Sequence, residues 1–180
     1  FCQNWDISQI TKDLKNRLLR EKKTADIDVE ISKFGYELPP EKIVEICMEK
    51  NIPGIAYTYN EPSIFFEYAY DTAKLAGKKG IKNVFVTNGY ETEEALKLLK
   101  PYLDGMNIDL KSFNDEFYKK ICKARLQPVL DTIKLAYKLG IWIEITTLII
   151  PGKNDSDEEL KKITDFISNI GKNIPWHVTA

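Results

Sequence analysis

Short apolar runs alternate with segments of helical period along most of the chain. The runs are Gly54–Tyr59 (GIAYTY), Asn83–Thr87 (NVFVT), Gly105–Leu110 (GMNIDL), Ile141–Ile150 (IWIEITTLII) and Trp176–Ala180 (WHVTA). β-branched and aromatic residues crowd these runs, which predicts strands. Between and before them, apolar residues recur at helical spacing over Glu41–Lys50, Pro62–Gly77, Thr92–Leu99, Asn114–Ile121, Pro128–Leu139 and Ser156–Ile170. Pro62 falls where a first helical turn tolerates it. Gln127-Pro128 is expected to break one helix from the next. Ser156-Asp-Glu-Glu159 has the form of a capping box, and Gly171 ends the last helix.

Strands alternating with helices predict βαβ units, hence an α/β fold built on a parallel sheet. Five strands fit either a doubly wound sheet or part of a barrel. A complete eight-stranded barrel takes about 250 residues, so in 180 residues the barrel reading is a partial one. No Gly/Ser linker or low-complexity tract interrupts the pattern, and residues 1–180 are read as one domain. The segment 6–38 is read as an irregular, solvated insertion. Within it Ile10–Lys23 is an amphipathic helix candidate, and Ala25–Gly35 reads as a loop, a short hairpin or an edge strand.

Composition narrows the classes. Lys+Arg number 26 and Asp+Glu 27, for a net charge of −1, which argues against a protein built around nucleic acid. At 43% hydrophobic and 11% aromatic the chain has the means for a packed core. Its longest apolar stretch, Ile141–Ile150, contains Glu144 and is too short to span a bilayer; no membrane association and no leader peptide are expected. Three cysteines, Cys2, Cys47 and Cys122, cannot build a disulfide scaffold, which points to a reducing, cytoplasmic setting. The single histidine, His177, excludes a multi-histidine metal site within these residues. A chain opening on Phe1-Cys2 is expected to begin partway through a longer protein.

In parallel α/β folds ligands bind at the carboxyl ends of the strands. The residues there are Asn60-Glu61-Pro62, Thr87-Asn88-Gly89, Asp109-Leu110-Lys111, Pro151-Gly152-Lys153-Asn154 and His177. In the third run, strand alternation puts Asn107, Asp109 and Lys111 on one face. A packed barrel interior wants branched apolar residues there; three polar ones point to a ligand cavity or to a structural ion pair. Glu144 and Thr146 repeat the pattern one strand later. Each tip also has a plainer reading. Glu61 can serve a helix dipole, Thr87-Asn88-Gly89 can be a turn and cap, and His177 can be a satisfied core histidine. Cys47 reads as a small hydrophobe; Cys122, among lysines, reads as packing or as a partly activated thiol. There is no triad and no phosphate loop, so a site rich in binding groups suits a cofactor that carries the chemistry itself.

Taken in order, these pieces resemble a known family. Phe1-Cys2-Gln3-Asn4-Trp5 resembles the tail of the C-x3-C-x2-C motif of radical S-adenosylmethionine enzymes. Ala56–Pro62 is similar to that family's Gly-Gly-Glu-Pro segment, with Asn60 in place of the second glycine. Val86–Tyr90 resembles its ribose-side loop, Asn107–Lys111 the Asp-Leu-Lys of pyruvate formate-lyase activating enzymes, and Thr147–Asp155 and Pro175–Thr179 its later strands. The resemblance extends to the AmmeMemoRadiSam system radical SAM subgroup. The motif's first two cysteines and the first barrel strand would precede Phe1, and Cys47 and Cys122 have the wrong spacing to replace those cysteines.

What the resemblance implies is a partial six-strand-type barrel of the TIM class holding a 4Fe–4S cluster and S-adenosylmethionine. The cluster would cleave the cofactor to methionine and a 5′-deoxyadenosyl radical that abstracts hydrogen, as in glycyl-radical activating enzymes. By the same resemblance Cys2 is a cluster ligand, and Phe1 and Gln3 lie beside the adenine. Asn60 and Glu61 meet the methionyl amino group. Thr87, Asn88, Asp109, Leu110, Lys111 and His177 meet the ribose and carboxylate. A flavodoxin- or ferredoxin-like electron donor and a protein or small-molecule substrate are the implied partners. Two other readings stand beside this one: a Schiff-base aldolase with Lys111 as nucleophile, and a non-catalytic S-adenosylmethionine-binding remnant.

Overall fold

All five strands pair in parallel and in sequence order, β1-β2-β3-β4-β5, in a computed structural model that describes residues 4–21, 27–33 and 35–180. Among these, the elements are α1 (Trp5–Ser8), α2 (Ile10–Arg20), α3 (Ile27–Ser32), α4 (Pro40–Glu49) and β1 (Gly54–Tyr57). A 3-10 turn (Pro62–Phe65) runs into α5 (Phe66–Gly77), followed by β2 (Lys82–Thr87), α6 (Glu93–Leu99), a second 3-10 turn (Lys100–Tyr102) and β3 (Gly105–Asp109). Then come α7 (Asp115–Phe117), a π-helical turn (Tyr118–Cys122), α8 (Leu126–Lys138), β4 (Trp142–Leu148), α9 (Asp157–Ile170) and β5 (Trp176–Thr179). A doubly wound sheet reverses its strand order at a switch point. This one never reverses, so it winds in the manner of a partial barrel.

Unreversed winding places the crossover helices on one face of the sheet, and burial agrees. Tyr57, Phe85, Met106, Ile108, Leu110, Ile143 and Ile145 pack with Ala69 and Ala73 of α5, Leu96 and Leu99 of α6, Val129 and Ile133 of α8, and Ile163 and Ile167 of α9. Phe85, Ile108 and Ile145 are fully buried, each removal from water contributing about 1.5–3 kcal/mol. A second cluster joins Val44 and Cys47 of α4 to Ala76 and Ile81. Asn83 is a polar side chain sealed into the core: its amide donates to the Ala73 and Tyr102 carbonyls at 3.2 and 3.0 Å and accepts from the Tyr57 hydroxyl at 2.9 Å.

The structure differs from the sequence expectations in three places and chooses between two readings in a fourth. The helix break falls at Lys123, which takes φ 58°, not at Pro128. Pro128 sits in the first turn of α8, where the amide it lacks has no intrahelical partner anyway. Residues 27–32 of the ambiguous segment are helical, and Glu30 pairs with Lys33 at a spacing that a helix brings together; the rest of that segment's start, Ala25 and Asp26, and Phe34 near its end lie outside the described residues. Ser156 caps α9 through the Glu159 amide at 3.3 Å, but the Glu159 carboxylate turns to Ser112 and the Phe113 amide, so the reciprocal half of the capping box is absent. Cys122 is half-buried, and burial pushes its thiol pKa up, which fits packing rather than activation.

Gly89 shows how tightly the end of β2 is seated. It takes φ +75°, and a Cβ there would lie 2.8 Å from Ile108 Cγ2 and 3.0 Å from Val129 Cγ1. Gly80 has nearly the same φ, +74°, with nothing within 4 Å. Gly80→Ala is therefore expected to lose about 1–2 kcal/mol from backbone strain alone. Gly89→Ala should lose more, because the core must also move. Urea denaturation of the two variants checks the order; equal losses would contradict the packing at Gly89.

Candidate functional site

Strand alternation leaves the face opposite the helices to another set of side chains. Asn107 and Asp109 of β3, Glu144 and Thr146 of β4 and His177 of β5 are half-buried or exposed, while their sequence neighbours Ile108, Leu110, Ile145 and Thr147 are buried. Register aligns Asn107 with Glu144, and Asp109 with Thr146, which in turn pairs with His177. Lys111 continues the row past the end of β3. Polar groups on this face partner one another. Lys111 Nζ donates to Asp109 Oδ2 at 2.5 Å, with side chains 35% and 27% exposed. Thr146 Oγ1 donates to Asn107 Oδ1 at 2.9 Å. His177 Nε2 lies 2.9 Å from Glu144 Oε2, and this hydrogen bond, helped by the Trp142 indole N–H, holds the Glu144 carboxyl below the usual range.

The tips of β1 and β2 meet through Glu61. Its Oε1 accepts from Thr87 Oγ1 at 2.6 Å, Ser63 Oγ at 3.1 Å and the Ser63 amide at 3.4 Å. Its Oε2 accepts from the Asn88 amide at 2.7 Å, leaving that oxygen room for a further donor. Glu61 thus caps the 3-10 turn and clasps the β2 tip. Asn60 Oδ1 beside it is buried without a hydrogen-bond partner, an acceptor in need of a donor. Asn88 closes a turn through the Tyr90 amide at 2.9 Å; the cap of α6 is Thr92.

The structure gathers some expected residues and not others. Asp109, Lys111 and His177 share the open face, and Asn60, Glu61 and Asn88 stand at the tips of β1 and β2. Thr87 is 1% exposed and points to the helix side, where it serves Glu61 and so acts on the site through that carboxylate. Leu110 is fully buried, and alternation sends its side chain into the core. Phe1, Cys2 and Gln3 lie outside the described residues. Glu91 is not among the expected residues, yet its Oε1 comes within 3.4 Å of Thr87 Oγ1. Burial and the like charge of Glu61 push its carboxyl pKa up to about 7. Its sequence signal is only an acid placed just past Asn88-Gly89-Tyr90.

Two further side chains brace the tips of β3 and β4. Asn154, 1% exposed, donates to the carbonyls of Lys111 at 2.6 Å and Leu148 at 2.9 Å and accepts from the Ile150 amide at 2.7 Å. Tyr118 Oη accepts from the Lys111 amide at 3.0 Å. The paired carboxylates and cations suit a zwitterionic organic ligand. Among the described residues no group of three His, Cys, Asp or Glu could hold a metal ion, and no helix is long and apolar enough to cross a membrane.

Comparison with known proteins gives this face a context. The Radical SAM superfamily profile matches residues 1–167. An uncharacterized protein of Methanocaldococcus jannaschii is 45% identical over 98% of this chain and 47% of its own length. The pyruvate formate-lyase-activating enzyme of Clostridium pasteurianum is 26% identical over 76% of this chain and 59% of its own. The chain therefore spans about half the length of these curated relatives. In fold it is similar to a domain of pyruvate-formate lyase-activating enzyme from Bacteroides vulgatus, with a TM-score of 0.59, 22% identity, and coverage of 69% of this chain and 75% of that one. It is also similar to Streptococcus suis SuiB bound to S-adenosylmethionine, with a TM-score of 0.61, 15% identity, and coverage of 78% and 33%. With a parallel sheet wound in one direction, a polar row on its open face and a profile match over nearly its whole length, the chain belongs to the Radical SAM superfamily.

Proposed function

We propose that the protein is a radical S-adenosylmethionine enzyme that resembles glycyl-radical activating enzymes. The carrying observation is the polar row Asp109, Lys111 and His177 on the open sheet face of a chain from this superfamily. When bound, the 4Fe–4S cluster and S-adenosylmethionine supply reductive cleavage of a sulfonium and hydrogen abstraction by the resulting organic radical. The residues of this chain bind and orient. Glu61 Oε2 and the unpartnered Asn60 Oδ1 accept from the methionyl ammonium. Asp109 and Lys111 offer an acceptor and a cation to hydroxyl and carboxylate groups, and Asn88 and His177 flank the ribose. Cys2 would ligate one iron, with Phe1 and Gln3 beside the adenine. Residues 1–180 serve as one core unit with 6–38 as an insertion, a low-potential protein supplies the electron, and the substrate is a protein or small molecule.

Anaerobic reconstitution of the protein with iron and sulfide, followed by reduction with S-adenosylmethionine present, is expected to yield a bound cluster and 5′-deoxyadenosine. Failure to produce either would overturn the proposal. Asp109→Asn and Lys111→Ala are each expected to weaken S-adenosylmethionine binding by about 10–100-fold, the equivalent of one charge-assisted hydrogen bond, with the circular dichroism spectrum unchanged. Unaltered affinity in a folded variant would remove that residue from the ligand site.

A further inference from the structure

Thr87 carries one hydroxyl proton, and three groups compete around its oxygen. At 2.6 Å the Thr87 hydroxyl donates that proton in a hydrogen bond to Glu61 Oε1. The Gly89 amide donates to one lone pair at 3.1 Å. Glu91 Oε1 faces what remains of the oxygen at 3.4 Å. An ionised Glu91 would set one acceptor against another, beside the negative charge of Glu61. A protonated Glu91 would supply the missing donor and complete the set. The backbone around Glu91 is fixed, since its carbonyl accepts from Thr132 Oγ1 of α8 at 3.3 Å. Thr132 is neutral and buried, so the charged group that acts on Glu91 is Glu61 across the β2 tip.

We propose that Glu91 is a proton-carrying positioning residue for Glu61: its carboxyl O–H donates to the Thr87 hydroxyl, and arrival of a cationic ligand group at Glu61 drives that proton out to solvent. The coupling to ligand rests on the proposed role of Glu61 toward an ammonium group; the proton on Glu91 does not. Burial and then Glu61 favour the neutral form, a hydrogen bond from the Thr87 hydroxyl would work against them, and the midpoint lies at about 7. A cation seated on Glu61 offsets its charge and favours the ionised form instead. No bond other than O–H changes, and the proton passes to buffer.

Two readouts test the two halves. In the ligand-free protein, carboxyl carbon resonances are followed with pH and the Glu91 signal is assigned by its loss in Glu91→Gln. A midpoint near 7 that falls in Glu61→Gln supports the proposal; a midpoint in the ordinary carboxylate range overturns it. Because the folded state holds this proton more tightly than the unfolded chain, the contribution to stability is complete below the ordinary value of 4.5 and is lost as pH rises through about 7. Tm should therefore carry a downward component across that window that Glu91→Gln removes, whereas Glu91→Ala, lacking a donor, should melt lower than Glu91→Gln throughout. Calorimetry of S-adenosylmethionine binding at about pH 6.5, in phosphate and in Bis-Tris, then reads the coupling. Proton release in the wild type that is absent in Glu91→Gln supports it, and binding without release overturns it. Absence of binding, with the Glu91 midpoint still near 7, overturns the S-adenosylmethionine reading of Glu61 and upholds the protonated Glu91.

Discussion

Parallel strands joined in sequence by right-handed crossovers leave all their helices on one side of the sheet, and the open face follows from that constraint. The side toward the helices excludes water and takes Phe85, Ile108, Ile145 and their neighbours. The other side carries Asn107, Asp109, Glu144, Thr146 and His177. Strand period then decides each residue's side: Ile108 and Leu110 go inward to the core, while Asn107, Asp109 and Lys111 go to the open face. The polar row is a consequence of winding and alternation together, and neither alone would gather it.

Binding groups on strand tips are useful only if the tips hold still. Polar side chains bonded across the strand ends do that work here. Glu61 ties the β1 tip to the β2 tip through Thr87 and the Asn88 amide. Asn154 ties the β3 tip to the β4 tip through the carbonyls of Lys111 and Leu148. Glu159 of α9 reaches the Phe113 amide and Ser112 just beyond β3. Each of these three makes at least one bond to backbone, which fixes the chain itself and not only a neighbouring side chain. The more exposed pairs, Lys111–Asp109 and His177–Glu144, are thus set on braced supports.

Much of this is legible in the sequence, for identifiable reasons. The strands and their polar face obey a period of two that survives in isolation, so Asn107, Asp109, Lys111, Glu144 and Thr146 can be placed without coordinates. Contacts between distant segments cannot. The Glu61–Thr87 bond spans 26 residues and the Asn154–Lys111 bond 43, and no local pattern encodes either. Alternation assigns the side chains of Thr87 and Leu110 to the helix side, and both are buried there. Pro128 misleads because proline breaks helices in their interiors, whereas a local reading does not tell an interior from a first turn. Glu91 carries no motif; only its distance from Thr87 and its burial reveal it.

The centre of the open face is close to neutral as it stands, because Asp109 and Lys111 match each other's charge. Such a surface does not attract a simple anion or cation strongly, since either would have to break a pair and leave one member uncompensated. A ligand bearing both signs at the right separation can replace the internal partners one for one. Its anion would meet Lys111 while its donors meet Asp109, and an ammonium would meet the free lone pair on Glu61 Oε2. The partial exposure of the Asp109–Lys111 pair, 27% and 35%, keeps the exchange inexpensive, because neither group is stranded in a dry interior while the pair opens. On the proposed reading, selectivity for a zwitterion would arise from the pairing itself, before any contact with a ring or a sugar is counted.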